Sequence, residues 1–155
     1  MIKFLLAQKE DLPYIKSIIN EAYKPITDTL SRLPGALDNT EQKLSHTLEK
    51  DRLYVIYNEK QDIIGTFSLT LTDRKTVKLF HFAIKPQFQK QGLGTGVIKE
   101  VLKLIQQNIP TAIRIELEIY SKIPSLLRFY KRFGFIEIGE KRIRGENILI
   151  LSKEL

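Results

Sequence analysis

Gly92, Gly94 and Gly96 follow an apolar run that ends at Ile84, and they stand directly before Val97, Val101, Leu102, Leu104 and Ile105, which recur at helical spacing. A strand that turns through glycines into a helix aims unpaired backbone N–H groups at whatever lies in front of that helix. Such donors suit an anion, and a phosphate above all. Gly96 falls in the first helical turn, where glycine weakens a helix by about 1 kcal/mol relative to alanine. Its retention points to a close approach of backbone or ligand, whereas a merely flexible connection is the plainer reading. Lys85 and Lys90 flank the turn as supplementary donors or as ordinary solvated lysines.

Two known glycine patterns fail here. A Walker loop needs Lys-Ser/Thr after its last glycine, but Gly96 is followed by Val97-Ile98. A dinucleotide fingerprint needs glycines at its first, third and sixth positions and an acid at a later strand end, and the nearest acid, Glu100, lies inside the helix. The phosphate-bearing partner is therefore something other than a simple NTP or NAD.

Other chemistry is narrowed by composition. Cysteine is absent, which removes disulfides and a thiol nucleophile, and His46 and His81 are far apart, with no grouping at metal-ligand spacing. No metal site is expected. The net charge of +7 attracts anions in general, but the 25 basic residues are interspersed with 18 acids and no aromatic series accompanies them. That pattern argues against a nucleic-acid partner. No apolar run approaches a membrane span and the N-terminus is too short for a signal segment, so a cytoplasmic location without membrane contact is the expectation.

The elements that would position the glycine turn can be read in order. Ile2 to Ala7 is a short strand. Glu10 or Asp11 then opens a helix with Pro13 in its first turn and an apolar stripe of Leu12, Ile15, Ile18, Ile19 and Ala22. Lys24 to Asn39 reads as irregular, with a short helical turn at Thr29 to Leu33, and serves either as an acceptor-binding wall or as a surface loop. Thr40 caps a second helix to Lys50, with Leu44 and Leu48 inward and His46 on the wet side. Strands follow at Arg52 to Tyr57, Ile63 to Leu71 and Val77 to Ile84, then the helix Gly92 to Asn108, which ends before Pro110. Ile113 to Ile119 alternates apolar and charged residues. Pro124 to Arg132 is a short helix, Phe133 to Ile138 a strand, and Asn147 to Leu151 a closing strand after a turn at Gly145. This order predicts an α/β fold over residues 1–155, a single-domain mixed, mostly antiparallel twisted sheet with helices on both faces.

At this point the sequence resembles the GCN5-related N-acetyltransferase (GNAT) superfamily. Gln89-Lys90-Gln91-Gly92-Leu93-Gly94 is similar to its Gln/Arg-x-x-Gly-x-Gly/Ala signature, and Phe129-Tyr130-Lys131-Arg132-Phe133-Gly134-Phe135 to its second signature, with a strand and a helix between the two. The resemblance spans nearly the whole chain and is weakest before residue 60. It implies the acyl-CoA N-acyltransferase fold and acetyl-coenzyme A as cofactor, its pyrophosphate on Gln89, Lys90, Gln91, Gly92, Leu93, Gly94, Thr95 and Gly96. It also implies that the strand ending at Ile84 splays from the one ending near Ile119, the pantetheine arm pairing with the edge at Phe82, Ala83 and Ile84.

The chemistry implied is N-acetyl transfer to a primary amine of a small molecule or peptide, with a non-catalytic acyl-CoA-binding or protein-interaction member as the alternative. Tyr130 stands where family enzymes place the tyrosine that protonates or hydrogen-bonds the sulfur; otherwise it is a core tyrosine beside Leu126 and Leu127. Many members carry an acid or histidine on the strand face of Lys78, Phe80, Phe82 and Ile84, and this chain has none there. His81 has the opposite parity and points away unless a bulge intervenes. Leu117-Glu118-Ile119 is similar to a Leu-Glu-Val segment of another subset, which makes Glu118 the general-base candidate, directly or through water, and Glu116 the reserve; otherwise both are polar residues on a half-exposed strand face. The family's asparagine seven residues before the tyrosine is replaced by Ile123, so its hydrogen bonds must come from Ser121 or Ser125. A homodimer is possible through the edge strands or the first helix.

Overall fold

The computed structural model describes residues 2–30, 40–89 and 92–155, with the side chain of Thr40 outside the description. Seven strands form one sheet in the order β1-β2-β3-β4-β5-β7-β6: β1 Lys3–Leu6, β2 Arg52–Tyr57, β3 Ile63–Leu71, β4 Thr76–Ile84, β5 Arg114–Tyr120, β6 Ile136–Ile143 and β7 Glu146–Glu154. Neighbouring strands run antiparallel except β4 and β5, which are parallel. The helices are α1 Leu12–Thr27, α2 Thr40–Lys50, α3 Pro86–Gln89, α4 Leu93–Asn108 and α5 Pro124–Lys131. The expected fold class and element order are thus observed.

Helices cover both faces of the sheet, and that is why β2 is buried at four consecutive residues, Leu53 to Ile56. Leu53 and Val55 join Ile15, Ile18, Ile19 and Ala22 of α1 and Leu44 of α2 on one side. Tyr54 and Ile56 join Phe67, Val77 and Leu79 against Val97, Ile98, Val101 and Ile105 of α4 on the other. Each fully buried isoleucine of these stripes contributes about 2 kcal/mol of transfer free energy. On β5, Ile115, Leu117 and Ile119 are buried and Arg114, Glu116 and Glu118 are half-exposed, as the alternation implies.

The structure corrects three expectations. α1 runs on to Thr27 with Pro25 inside it, so Lys24 to Thr27 is helix and not loop. Proline removes only one intrahelical donor there, close to the end of the helix, and the Thr27 hydroxyl donates to the Tyr23 carbonyl at 3.0 Å. The helical turn read from Thr29 lies outside the described residues beyond Leu30, as does any capping by Thr40. Between β4 and α4 the chain adds α3, starting at Pro86, with the Phe88 amide donating to the Lys85 carbonyl at 2.9 Å.

The third correction concerns β4. Ser68 pairs with Phe80 but Thr66 pairs with Ala83, so His81 and Phe82 together face the single residue Phe67. This is a β-bulge, and His81 takes the positive φ of 53° that accommodates the extra residue. Parity reverses across it. Val77 and Leu79 face α4 before the bulge, Ile84 faces α4 after it, and Ala83 packs toward α1. The rule that sent His81 away from the site therefore fails.

Candidate functional site

β4 and β5 pair only at Thr76–Arg114, Val77–Ile115 and Lys78–Glu116. Beyond Lys78 the strands diverge, one running on to Ile84 and the other to Tyr120. The opening leads into a cavity of about 840 Å³ that reaches both faces of the sheet. Gly94 of α4 and Phe129 and Tyr130 of α5 line it on one side; Ala22 and Tyr23 of α1, Lys43 of α2 and His81 line it on the other.

At the mouth, Gly92 is the residue preceding α4, with φ 71° and no side chain of its own to cap the helix. A Cβ at Gly92 would meet nothing within 4 Å, so its conformation and not crowding calls for glycine. The amides of Leu93, Gly94 and Thr95 occupy the first turn, where N–H groups have no intrahelical acceptor, while the Gly96 amide can reach back to the Gly92 carbonyl. The same turn packs on α5, since a Cβ at Gly94 would lie 3.4 Å from the Phe129 ring. Lys90 and Gln91 fall outside the described residues. Lys85 turns to α1, donating to the Tyr14 hydroxyl with its ammonium 4.5 Å from the ring centroid.

The β4 edge is partly engaged from within. The Tyr23 hydroxyl donates to the Phe82 carbonyl at 3.1 Å, and Gln89 Nε2 donates to the Ile84 carbonyl at 2.8 Å. Ala83 pairs with Thr66. A carbonyl has two acceptor sites, so both bonded oxygens retain capacity for another donor. The side chain of Gln89, read as part of the phosphate turn, is thus directed at the strand.

Tyr130 stacks edge-on against Phe129 and Phe135 at 5.0 and 5.5 Å between ring centroids. Its hydroxyl makes no hydrogen bond among the described residues, and burial, seconded by Tyr23, raises its pKa, so the phenol keeps its proton. Glu118 also lines the cavity, and its Oε2 accepts from Lys78 at 3.1 Å and from Lys141 at 2.8 Å. Burial pushes this carboxyl's pKa up, and the two lysines more than reverse the effect, leaving it below the ordinary value. Glu116 sits apart, in a second hollow of about 450 Å³ with Arg114 and Ile136.

His81 is the group that alternation misplaced. Its Nδ1 lies 3.3 Å from the Ser68 hydroxyl. Burial chiefly, and then Lys43, hold its pKa at about 4 against the opposing charge of Asp51, so the imidazole is neutral. Lys43, Arg144 and Glu146 also line the cavity without having been singled out from sequence. The Arg144-Gly145 turn was a usable signal, because a glycine between two short strands places its neighbours at a hairpin tip. Lys43 had none beyond its place next to the inward Leu44.

Residues 32–151 match the model of the acetyltransferase (GNAT) domain. The chain belongs to the GNAT family. An S-(2-succino)cysteine N-acetyltransferase of Bacillus subtilis is 23% identical to this GNAT protein over 98% of the chain and 94% of its own length. Among solved structures, the ribosomal-protein-S18-alanine N-acetyltransferase of Escherichia coli superposes with a TM-score of 0.75 at 17% identity, covering 99% of this chain and 94% of the other. Spermidine N-acetyltransferase from Vibrio cholerae in complex with CoA and spermine gives 0.74 at 17% identity, over 99% and 95%. The GNAT fold and these distant relatives support acetyl-CoA-dependent acetyl transfer as the general activity. Among the described residues no helix is long and apolar enough to cross a membrane.

Proposed function

We propose that this protein is an acetyl-CoA-dependent N-acetyltransferase that acts on a primary amine by direct attack. The observation that carries the reading is the opening beyond the three β4–β5 residue pairs, which joins a helix N-terminus that begins at a glycine to a cavity reaching through the sheet. Coenzyme A fits this arrangement: the amides of Leu93, Gly94 and Thr95 have no intrahelical acceptor and suit a diphosphate, and the β4 carbonyls of Phe82 and Ile84 retain acceptor sites for amide donors.

When bound, acetyl-coenzyme A supplies the thioester whose acetyl group an amine takes, releasing the thiol. Tyr130 holds a proton in a buried phenol beside Gly94 and Phe129, suited to donation toward a departing sulfur. Glu118 and neutral His81 are proton acceptors that line the cavity, as is the carboxylate of Glu146. The lysines around Glu118 keep it ionised at the cost of basicity, so it orients a positively charged amine or a water more effectively than it removes a proton. His81 accepts a hydrogen bond through a ring nitrogen without a charge to repel the amine.

The named relatives act on dissimilar acceptors and do not choose among them. The test is calorimetric titration with coenzyme A followed by transfer assays with a panel of amines. Binding and thiol release are expected; absence of coenzyme A binding overturns the reading, and binding with no transfer to any amine favours a non-catalytic member.

A further inference from the structure

β6 is an outer strand of the sheet, and among the described residues it pairs with β7 alone. It is exposed along its length apart from the half-buried Gly139. Its isoleucines stand well out of the core, Ile136 at 63%, Ile138 at 51% and Ile143 at 41% exposed. Apolar side chains on an open strand edge invite another strand unless charge or shape turns it away. The opposite edge of the sheet, β1, offers four residues with the single charge of Lys3.

The side chains of β6 divide between the two faces of the sheet. Glu137 pairs with Leu151 and Glu140 with Leu149, both in the core packed on α4, so these acids and Arg142, two residues on, share that face. Ile136, Lys141 and Ile143 take the other face. Ile138, the extra residue of a bulge between Glu137 and Gly139, lines one hollow with Ile136 and Glu116. The backbone has a direction too. Arg144 at φ 54° and Gly145 at φ 80° form a two-residue turn, which closes on a hydrogen-bonded pair, Ile143 and Glu146. Bonded and unbonded residues alternate from there, so Arg142 and Glu140 turn their N–H and C=O groups outward, and the extra residue gives Glu137 the same sense.

We infer that two copies of this chain associate about a two-fold axis by antiparallel pairing of their β6 edges. One alignment pairs all the outward residues of each copy: Glu137 faces Arg142 of the second copy, Arg142 faces its Glu137, and Glu140 meets Glu140 on the axis. In the same alignment Ile136 lies opposite Ile143 on the other face. Charge ordinarily blunts an edge, but here it is sorted by sign, with Glu137 and Glu140 ahead of Lys141 and Arg142. Antiparallel pairing therefore sets opposite charges side by side, and an in-register parallel one sets like on like. Glu140 is the one mismatch, and its Oε2 is already turned to the Asn147 amide at 3.3 Å. Arg142 donates to the Gly145 carbonyl at 3.0 Å and keeps other guanidinium N–H groups for a carboxylate. Ile143 also lines the large cavity, so Ile136 of the second copy stands against the wall of that cavity.

The test is sedimentation of the full chain at about 0.15 M salt over about 1–200 μM. An edge of eight residues a side is small among stable interfaces, so a monomer–dimer equilibrium with a Kd of about 1–100 μM is expected. Glu137→Arg and Arg142→Glu each set like charges opposite one another in both copies and weaken the dimer by about tenfold or more, although they move the net charge of +7 in opposite directions. The two together restore it to within about threefold of the parent, and Glu140→Gln tightens it by about threefold by relieving the pair on the axis. All of these positions are exposed, so each variant melts within about 2 °C of the parent. A parent that stays monomeric throughout, single reversals that leave the dimer unchanged, or a joint reversal that stays as weak as the single variants each overturns the inference.

Discussion

Lowering the pH should unfold this protein partly through one histidine. His81 titrates near 4 in the native state because it is buried and because Lys43 stands close, whereas an unfolded histidine titrates near 6.5. Between these values the unfolded chain binds a proton that the native state refuses, so unfolding free energy rises with pH across the window. The contribution is therefore fully present above pH 6.5 and is lost as the pH falls to about 4. At about 1.36 kcal/mol per pH unit, the loss is roughly 3 kcal/mol. Carboxylates with lowered pKa, such as Glu118 and Asp73, also weaken the fold in acid, so the parent alone is not decisive. Urea unfolding of the parent and of His81→Gln at intervals from pH 7.5 to 4 isolates the term, because both chains share those carboxylates. The parent should lose about 3 kcal/mol more than the variant. Curves that stay parallel within about 0.5 kcal/mol, the usual limit of additivity, would refute a buried neutral imidazole and with it the bulge geometry that places it.

Two further outcomes follow from contacts at the site. Gly65→Ala puts a Cβ 2.4 Å from the Ala83 carbonyl oxygen and 2.9 Å from Ile84 Cδ1, so the β4 backbone must shift. A loss of about 2–3 kcal/mol and a Tm lower by about 5–10 °C are expected by calorimetry, and an unchanged Tm refutes the close approach of β3 and β4. Tyr130→Phe removes a hydroxyl that bonds to nothing among the described residues, so denaturation should find stability within about 1 kcal/mol of the parent. The same variant should lose about 10²-fold in thiol release from acetyl-CoA, and a parent-like rate counts against proton donation.

Much of the scaffold was legible in the sequence because both packing periods are strong. The α1 stripe at Ile15, Ile18, Ile19 and Ala22, the alternation along β5 and the glycine turn before α4 each express a local rule, and the structure follows them. What escaped depended on single-residue departures or on distant partners. A histidine at positive φ carries no mark comparable to a glycine, so the bulge at His81 could not be placed, and one extra residue reversed the face assignment. Pro25 reads as a helix breaker, yet near a helix end its missing donor is a small loss. The lysines that clasp Glu118 come from β4 and β6, and only the strand order β4-β5-β7-β6 makes them neighbours. That Lys43 and Arg144 line one cavity was hidden for the same reason, since they stand far apart in the sequence and are brought to it only by the fold.

The irregularity in β4 has a bearing on how such a chain can change over generations. Below it, Val77 and Leu79 are locked into the interior and tolerate little substitution. At it, His81 lines the cavity and also meets Ser68 and Phe80, while the extra residue absorbs the mismatch that would otherwise propagate down the strand. A replacement there has to tolerate a positive φ and those two neighbours, but it leaves the interior that keeps the sheet intact to Val77 and Leu79.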